Sequence, residues 1–495
     1  MPRNRVRTEQ TLVEACVQWA RIRIDGQVFR PGMRLPSIRA LARQQRVSPF
    51  TVVEAYGRLV AGGYLEARQG SGFYVRPRAA ARLPARDQRS AIDLRWLMRH
   101  MLDSGSARGP GLGVLPASWL DGVQVGAALR SLGRQGPGRW LDSGQPQGFE
   151  PLRAVLQQRL AQLDVLAHPE QIVLTTGVTQ ALHLVLHTLV SPGDAVLVLD
   201  PCWFGALGML AAHGAHTLGV PCTPRGPDLD VLERMAREER PRLLIVSSAA
   251  QNPTGLSLSP EAAARILDVA ARHELHIFED DVYADLCAAP IRRLAAADQL
   301  HCVIHAASFS KTLASNIRVG FIACRANLAQ SFADSKILSG FTTPELNERL
   351  VHKLLVEGRY RRHVEVLRAR LCEHRAAART TLERAGFEIF GDPDEGMFLW
   401  VNTHTDTNNL AAACREEGLL LAPGSLFSPQ QIPSTWMRFN VTTSLDETMA
   451  VLMRSMRRSR QGPDGALGSP SNIREAKAQR SKLIRLPRQP GCTTI

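Results

Sequence analysis

Lysine is scarce in this chain, and one of its five copies is set for covalent work. Lys311 stands in Ser308-Phe309-Ser310-Lys311-Thr312-Leu313, directly after the apolar run 302–306. An amine at the end of a buried strand, among small hydroxyl residues, suits a Schiff base with a carbonyl cofactor. A surface lysine after a strand is the commoner arrangement, so its company decides. Thr176-Gly177-Val178-Thr179-Gln180 lies between a strand-like run and a helical one, where backbone N–H groups and a helix N-terminus can hold a phosphate. Pro201-Cys202-Trp203 puts a large aromatic after another strand, able to stack on a pyridine ring or to pack in a core. Asn252-Pro253-Thr254-Gly255 offers a side-chain amide on a rigid turn. Glu279-Asp280-Asp281-Val282-Tyr283 follows apolar Ile277-Phe278, so one carboxylate bears partial burial and needs a cationic partner. A pyridinium nitrogen is such a partner. Arg318, seven residues past Lys311, can add a second charge at the phosphate.

A different chemistry is written near the amino terminus. Ser37 is placed to cap one helix, and Ser48-Pro49 caps a second with Pro at its first position. Val52, Val53, Tyr56, Leu59 and Val60 recur at helical spacing. Two short helices joined by a tight turn predict a helix-turn-helix. After Gly62-Gly63, the runs 64–68 and 73–75 flank Gln69-Gly70-Ser71-Gly72 and predict a hairpin, the wing. Charge is distributed to match. Residues 1–92 carry 17 basic against 6 acidic side chains, and residues 457–495 carry 9 against 2. With +14 overall, the middle is left slightly acidic. Basic ends on a near-neutral body point to a polyanion partner, not a generally basic enzyme.

The elements that must position these residues follow from pattern. Four parts are expected: a DNA-binding unit over 1–77, a linker over 78–92, a long region over 93–458 and a disordered basic tail over 459–495. In the long region, apolar runs at 171–175, 195–199, 242–247, 276–278, 302–306 and 319–323 alternate with helical stretches. That alternation predicts an α/β fold with a mostly parallel central sheet. A long charged helical pattern covers 345–385, and a smaller α+β portion ends the region. With 44% hydrophobic and 21% charged residues the chain is no disordered polyelectrolyte. No apolar run reaches the roughly 18–20 residues of a membrane helix, and the first residues lead into polar sequence rather than a signal-peptide core. Nine scattered Cys residues without a CxxC pair suggest free thiols in a reducing cytoplasm, with neither a disulfide framework nor a zinc site.

Two resemblances combine. Pro31-Gly32, Leu35-Pro36-Ser37, Arg39, Leu41-Ala42, Val47-Ser48, Thr51-Val52, Ala55-Tyr56, Leu59, Gly63 and Gly70-Ser71-Gly72 resemble the winged helix-turn-helix of the GntR family. The resemblance implies that Arg39 and Thr51 contact phosphates or bases, that Ser48 opens the recognition helix, and that Gln69 and Gly70 reach the minor groove. Where that family usually has Arg just after the opening Ser or Thr, this chain has Pro49-Phe50. The long region resembles the fold-type-I aminotransferases that bind pyridoxal 5′-phosphate. That resemblance implies Lys311 as the lysine bonded to the cofactor, Asp280 on the pyridine nitrogen, Tyr283 and Asn252 on the ring hydroxyl, and Trp203 stacked on the ring. It places Val178, Thr179, Ser308, Ser310 and Arg318 around the phosphate, Arg438 on a substrate carboxylate, and Lys311, Tyr283 and Asp280 as the catalytic set.

Three departures accompany the second resemblance. Ser143 stands where the family has a Tyr that reaches across a dimer, Ala314-Ser315-Asn316 replaces Ala-Pro-Gly, and a Gly-x-Pro substrate arm is poorly matched within 104–113. A winged helix joined to such a domain resembles the MocR group of transcriptional regulators. The combination implies a homodimer that binds an operator with repeated or palindromic half-sites and senses an amine, an amino acid or a B6 vitamer. The alternative expectation is an active aminotransferase carrying a DNA-binding extension.

Overall fold

The computed structural model describes residues 12–25, 29, 32–68, 71–75, 97, 99, 108–134, 141 and 143–461. The expected linker 78–92 and the tail beyond Gln461 lie outside the described residues. The chain divides into two compact units, at Gln88 and Arg89.

The smaller unit holds α1 (Leu12–Asp25), α2 (Ile38–Gln45), α3 (Pro49–Ala61), β1 (Leu65–Arg68) and β2 (Gly72–Val75). Local chemistry sets the helix starts. Ser37 Oγ accepts from Ala40 N and Ser48 Oγ accepts from Thr51 N at 3.0 Å. Between the helices Arg46 takes a left-handed conformation, φ 56°, and Val47 N–H closes onto Ala42 O. Val52, Ala55, Tyr56 and Leu59 bury one face of α3 against Leu41 and Ala42 of α2 and Ala20 of α1. The Tyr56 hydroxyl donates to Pro36 O at 2.8 Å, so burying it leaves no orphan donor. β1 and β2 pair antiparallel from Leu65↔Val75 to Arg68↔Gly72, and Arg34 bridges to Tyr74 beside them. The helix-turn-helix and its wing form as the punctuation predicts.

The larger unit is built on an eight-stranded sheet in the order β3-β10-β9-β8-β7-β4-β5-β6. Its strands are β3 (Ile172–Thr175), β4 (Ala195–Asp200), β5 (His216–Thr223), β6 (Gly226–Pro227), β7 (Leu243–Val246), β8 (His276–Asp280), β9 (Val303–Ser308) and β10 (Gly320–Ala323). Five neighbours, β5-β4-β7-β8-β9, run parallel, and β10 lies antiparallel between β9 and β3. Strand residues alternate between two cores. Val196, Val198, Leu243 and Ile245 enter one, while Leu197, Leu199, Leu244 and Val246 enter the other. Burial on both faces explains why these strands read as continuous apolar runs. The four-stranded antiparallel sheet β11-β12-β14-β13, with β11 (Glu388–Ile389), β12 (Phe398–Asn402), β13 (Ala422–Pro423) and β14 (Trp436–Asn440), forms the α+β portion.

Two expectations need correction. The pattern over 345–385 is two helices, Glu345–Val356 and Arg359–Arg384, split where Gly358 takes φ +67°. The last helix, Leu445–Gln461, runs three residues past 458. Among the described residues no helix is long and apolar enough to cross a membrane.

Candidate functional site

The carboxyl ends of the parallel strands are where open α/β sheets hold ligands. β8 ends at Asp280, β9 ends at Ser308 with Lys311 three residues on, and β4 leads to Trp203. A cavity of about 220 Å³ opens there. It is lined by Val178, Thr179, Trp203, Asn252, Asp280, Tyr283, Ser308, Ser310, Lys311, Arg318 and Arg438. Every residue expected to touch cofactor or substrate thus faces one space.

One end of the cavity is shaped for a phosphate. The helix Val178–Leu189 begins beside it, and its first N–H groups have no intrahelical acceptor. Gly177 precedes that helix at φ 104°, and a Cβ there would lie 3.0 Å from Arg318 Nη2 and 3.4 Å from Ser308 Oγ. A Cβ on Gly320 would meet Gly177 Cα at 2.8 Å, so both positions require glycine. Ser308 Oγ donates to Val319 O at 3.1 Å, and Arg318 Nη1 donates to Ser310 Oγ at 3.4 Å. Hydroxyls, a guanidinium and a helix start converge there.

The three consecutive acids are all buried, but they do different work. Glu279 accepts from Ser248 Oγ, from Leu294 N at 2.7 Å, from Ala295 N and from the His305 ring, and these bonds hold its carboxyl below the usual range despite burial. Asp281 pairs with Arg293 Nε at 2.7 Å. Only Asp280 faces the cavity, with Val282 N–H on Oδ1 at 3.2 Å as its hydrogen bond. Burial pushes its carboxyl up to about 7. A cation at the cavity end would restore its charge. Ser248, Arg293 and His305 carried no local signal, because they act only once β8 has neighbours.

Lys311 lies in the same cavity, 5.9 Å from the Tyr283 ring centroid. Burial first, then the Arg438 charge, bring its amine down to about 8 from 10.5. The unprotonated amine is the nucleophile, so its reaction with an aldehyde is expected to accelerate through about pH 8. The check is the initial rate of borohydride-fixable cofactor incorporation against pH. A midpoint near 10 would show an ordinary solvated lysine.

Arg438, on β14, is 1% exposed. Its Nη1 donates to Asn252 Oδ1 at 3.1 Å and its Nη2 to Gly111 O at 2.7 Å, while Nε is buried with no partner among the described residues. Phe398, Phe427 and Phe204 surround the guanidinium at 4.5, 5.3 and 5.4 Å. A buried cation caged by rings, with no carboxylate paired to it among the described residues, has the electrostatics that suit an anionic group.

Residues 111–114, at the end of the stretch where a substrate arm was poorly matched, pack against the cavity. Gly113 and Val114 line the cavity, Lys311 Nζ donates to Gly113 O, and Asn440 Nδ2 donates to Leu112 O and Val114 O at 3.0 Å each. Backbone carbonyls make these bonds, so the side-chain motif is a poor guide to the arm. Close approach does constrain the sequence at Gly111, where a Cβ would sit 2.5 Å from Leu421 C. Ser143 is exposed and does not line the cavity. Among the described residues, Phe204, Val282 and Ser315 also line the cavity and were not expected.

The residues present fit pyridoxal 5′-phosphate: an amine, a facing carboxylate, an aromatic face and a glycine-lined anion cradle share one cavity. In the smaller unit Arg39 and Ser48 are exposed and Thr51 is half-buried. Ser48 Oγ and Thr51 Oγ1 lie 2.8 Å apart, so each hydroxyl is partly engaged by the cap. Gln69 and Gly70 lie outside the described residues.

Comparison with known proteins supports both halves. Residues 130–456 match the family described as aminotransferase class I and II, and residues 14–75 match the gntR family of bacterial regulatory proteins. The HTH-type transcriptional regulator YdcR of Escherichia coli is 30% identical over 439 residues, covering 85% of this chain and 92% of that protein. The 2-aminoadipate transaminase of Thermus thermophilus is 31% identical, covering 64% of this chain and 80% of that enzyme. Among solved structures, the α-aminoadipate aminotransferase LysN of Thermus thermophilus, complexed with N-(5′-phosphopyridoxyl)-L-leucine, superposes with a TM-score of 0.67 at 28% identity. The match covers 73% of this chain and 94% of that one.

Proposed function

From the premise that the chain belongs to the aminotransferase class I and II family and carries a GntR-type helix-turn-helix, as MocR-like regulators do, we propose that its cofactor site serves as a sensor. The protein is a DNA-binding transcriptional regulator that uses pyridoxal 5′-phosphate. The effector is an amine, an amino acid or a B6 vitamer, read in the cavity of Lys311 and reported to the operator. The observation that carries this reading is the pairing, on one chain, of a complete cofactor constellation with a capped, wing-bearing α3.

When bound, pyridoxal 5′-phosphate supplies an aldehyde and an electron-accepting pyridine ring. Lys311 would offer the amine, Asp280 would pair with the pyridine nitrogen, and Trp203 would stack on the ring. Asn252 and Tyr283, whose Nδ2 and Oη lie 3.4 Å apart, would hold the ring hydroxyl. Thr179, Ser308, Ser310 and Arg318 would hold the phosphate beside the N-terminus of Val178–Leu189. Arg438 takes an effector carboxylate and turns it toward Lys311. An effector that prefers one arrangement of the protein changes DNA affinity by that preference, and DNA changes effector affinity by the same factor. Two chains about a two-fold axis present two copies of α3 to repeated half-sites, in the cytoplasm where the operator is.

The competing reading is a working transaminase. Ser143 argues against it, since it cannot do what a Tyr at that position does. Steady-state amino-group transfer to a keto acid is expected to be absent or slow, while an amino acid shifts operator retardation of the loaded protein at least several-fold. Rapid turnover with retardation indifferent to every amine, amino acid and B6 vitamer tried would replace the sensor by an enzyme.

A further inference from the structure

α3 presents to solvent a stripe that the fold does not use. Phe50 is 76% exposed and Val53 47% exposed, and Glu54 and Gly57 continue the same face at helical spacing. The opposite face is the core of the unit. Phe50 occupies the second position of the helix, just after the Pro49 that follows the Ser48 cap.

In a helix-turn-helix the second helix lies in the major groove with its N-terminal residues against base edges. Phe50 and Val53 hold those places. Neither can donate or accept a hydrogen bond, so neither can read the donor and acceptor pattern that Arg, Asn or Gln reads. The one apolar feature of a major-groove base edge is the thymine C5-methyl group. The rest of the stripe is compatible with close approach. Glu54 is held by Arg58 at 2.6 Å, and Gly57 has open space where a Cβ would stand. Arg39, Arg43 and Arg46, on or beside α2, are exposed and free to meet phosphates.

We propose that Phe50 and Val53 read thymine methyl groups in each operator half-site, so that the recognition helix specifies A·T pairs by apolar contact. This deepens the DNA-binding reading above and rests on it.

The test begins with the full-length, cofactor-loaded protein and a random duplex pool, from which the operator is selected. Each thymine of a half-site is then replaced by deoxyuridine, which removes the methyl and leaves every hydrogen-bonding atom. Wild type is expected to lose about fourfold in affinity for each methyl buried. The double variant Phe50→Ala, Val53→Ala is expected to bind thymine and uracil operators equally, with little change in thermal stability because both side chains are exposed. 5-Methylcytosine at such a position, paired with guanine, is expected to recover part of the loss, since the methyl is what is read. Arg39→Ala serves as the contrast. It lowers affinity for both operators alike and flattens the slope of log affinity against log salt by about 0.9. If wild type retards DNA but no thymine-to-uracil exchange changes affinity, the inference is overturned while the regulator reading stands. If the double variant instead changes only the oligomeric state, α3 docks on protein and the inference is equally overturned. A wild type that retards no duplex takes both readings down.

Discussion

Lys311→Ala is expected to yield a protein to which borohydride no longer fixes the cofactor, with visible absorption from bound cofactor lost as well. The effect is all-or-none because, among the described residues, Lys311 is the one lysine lining the cavity. The informative control is Lys336. It is fully buried in the helix Ala326–Gly340, and burial brings its amine down to about 8, as for Lys311. Acidity alone therefore nominates two lysines. Geometry separates them: Lys336 Nζ donates to Leu174 O at 2.7 Å and to Thr343 Oγ1 at 3.2 Å, and it lines no part of the site. Lys336→Met is expected to lower the thermal midpoint, since it leaves those buried acceptors unpaired, and to leave cofactor fixation intact. Fixation surviving in Lys311→Ala would show the assignment wrong.

Asp280→Ala is expected to weaken cofactor binding by about two to three and a half powers of ten. Deleting one member of a buried ion pair costs about 3–5 kcal/mol, because the remaining charge stays buried, and each factor of ten is about 1.4 kcal/mol. The neighbouring acid supplies the contrast. Asp281→Ala breaks the pair with Arg293 and leaves that guanidinium buried without its carboxylate, so its expected effect is on folding stability. A pH dependence follows with a definite sign. Asp280 is pushed up to about 7 in the free protein, and only its ionised form attracts a cation. Cofactor affinity is therefore expected to be full above pH 7 and to fall as pH drops through it, by equilibrium titration. Were Asp280→Ala to bind within tenfold of wild type while Asp281→Ala lost the cofactor, the two acids would exchange roles.

Much of the site is legible along the chain because its parts sit where local rules are strong. Gly177 precedes a helix, Asp280 ends a strand, and Lys311 follows one within a cluster of Ser and Thr. Each signal is a few residues long and each strand end points the same way in a parallel sheet, so five motifs in order already imply a shared edge. The caps Ser37 and Ser48 are equally local, which is why the helix-turn-helix could be drawn from punctuation.

What only the tertiary structure shows is which of several chemically similar residues faces the cavity, a choice that the sequence could make only by resemblance. Glu279, Asp280 and Asp281 look alike in sequence. Two are consumed by His305, Ser248 and Arg293, and only the third is left to the cavity. Lys311 and Lys336 differ by what lies opposite them. The arm at Gly111–Val114 is invisible to motif reading because Arg438 and Asn440 grip it by carbonyl oxygens, across 327 residues in the first case. Phe50 is the reverse: its identity was plain in the sequence, but its place on the bare stripe of α3 required knowing which face the core takes. Type, order and local backbone conformation are properties of short stretches of chain. Burial, charge environment and exposure are set by residues hundreds of positions away, and only folding brings those together.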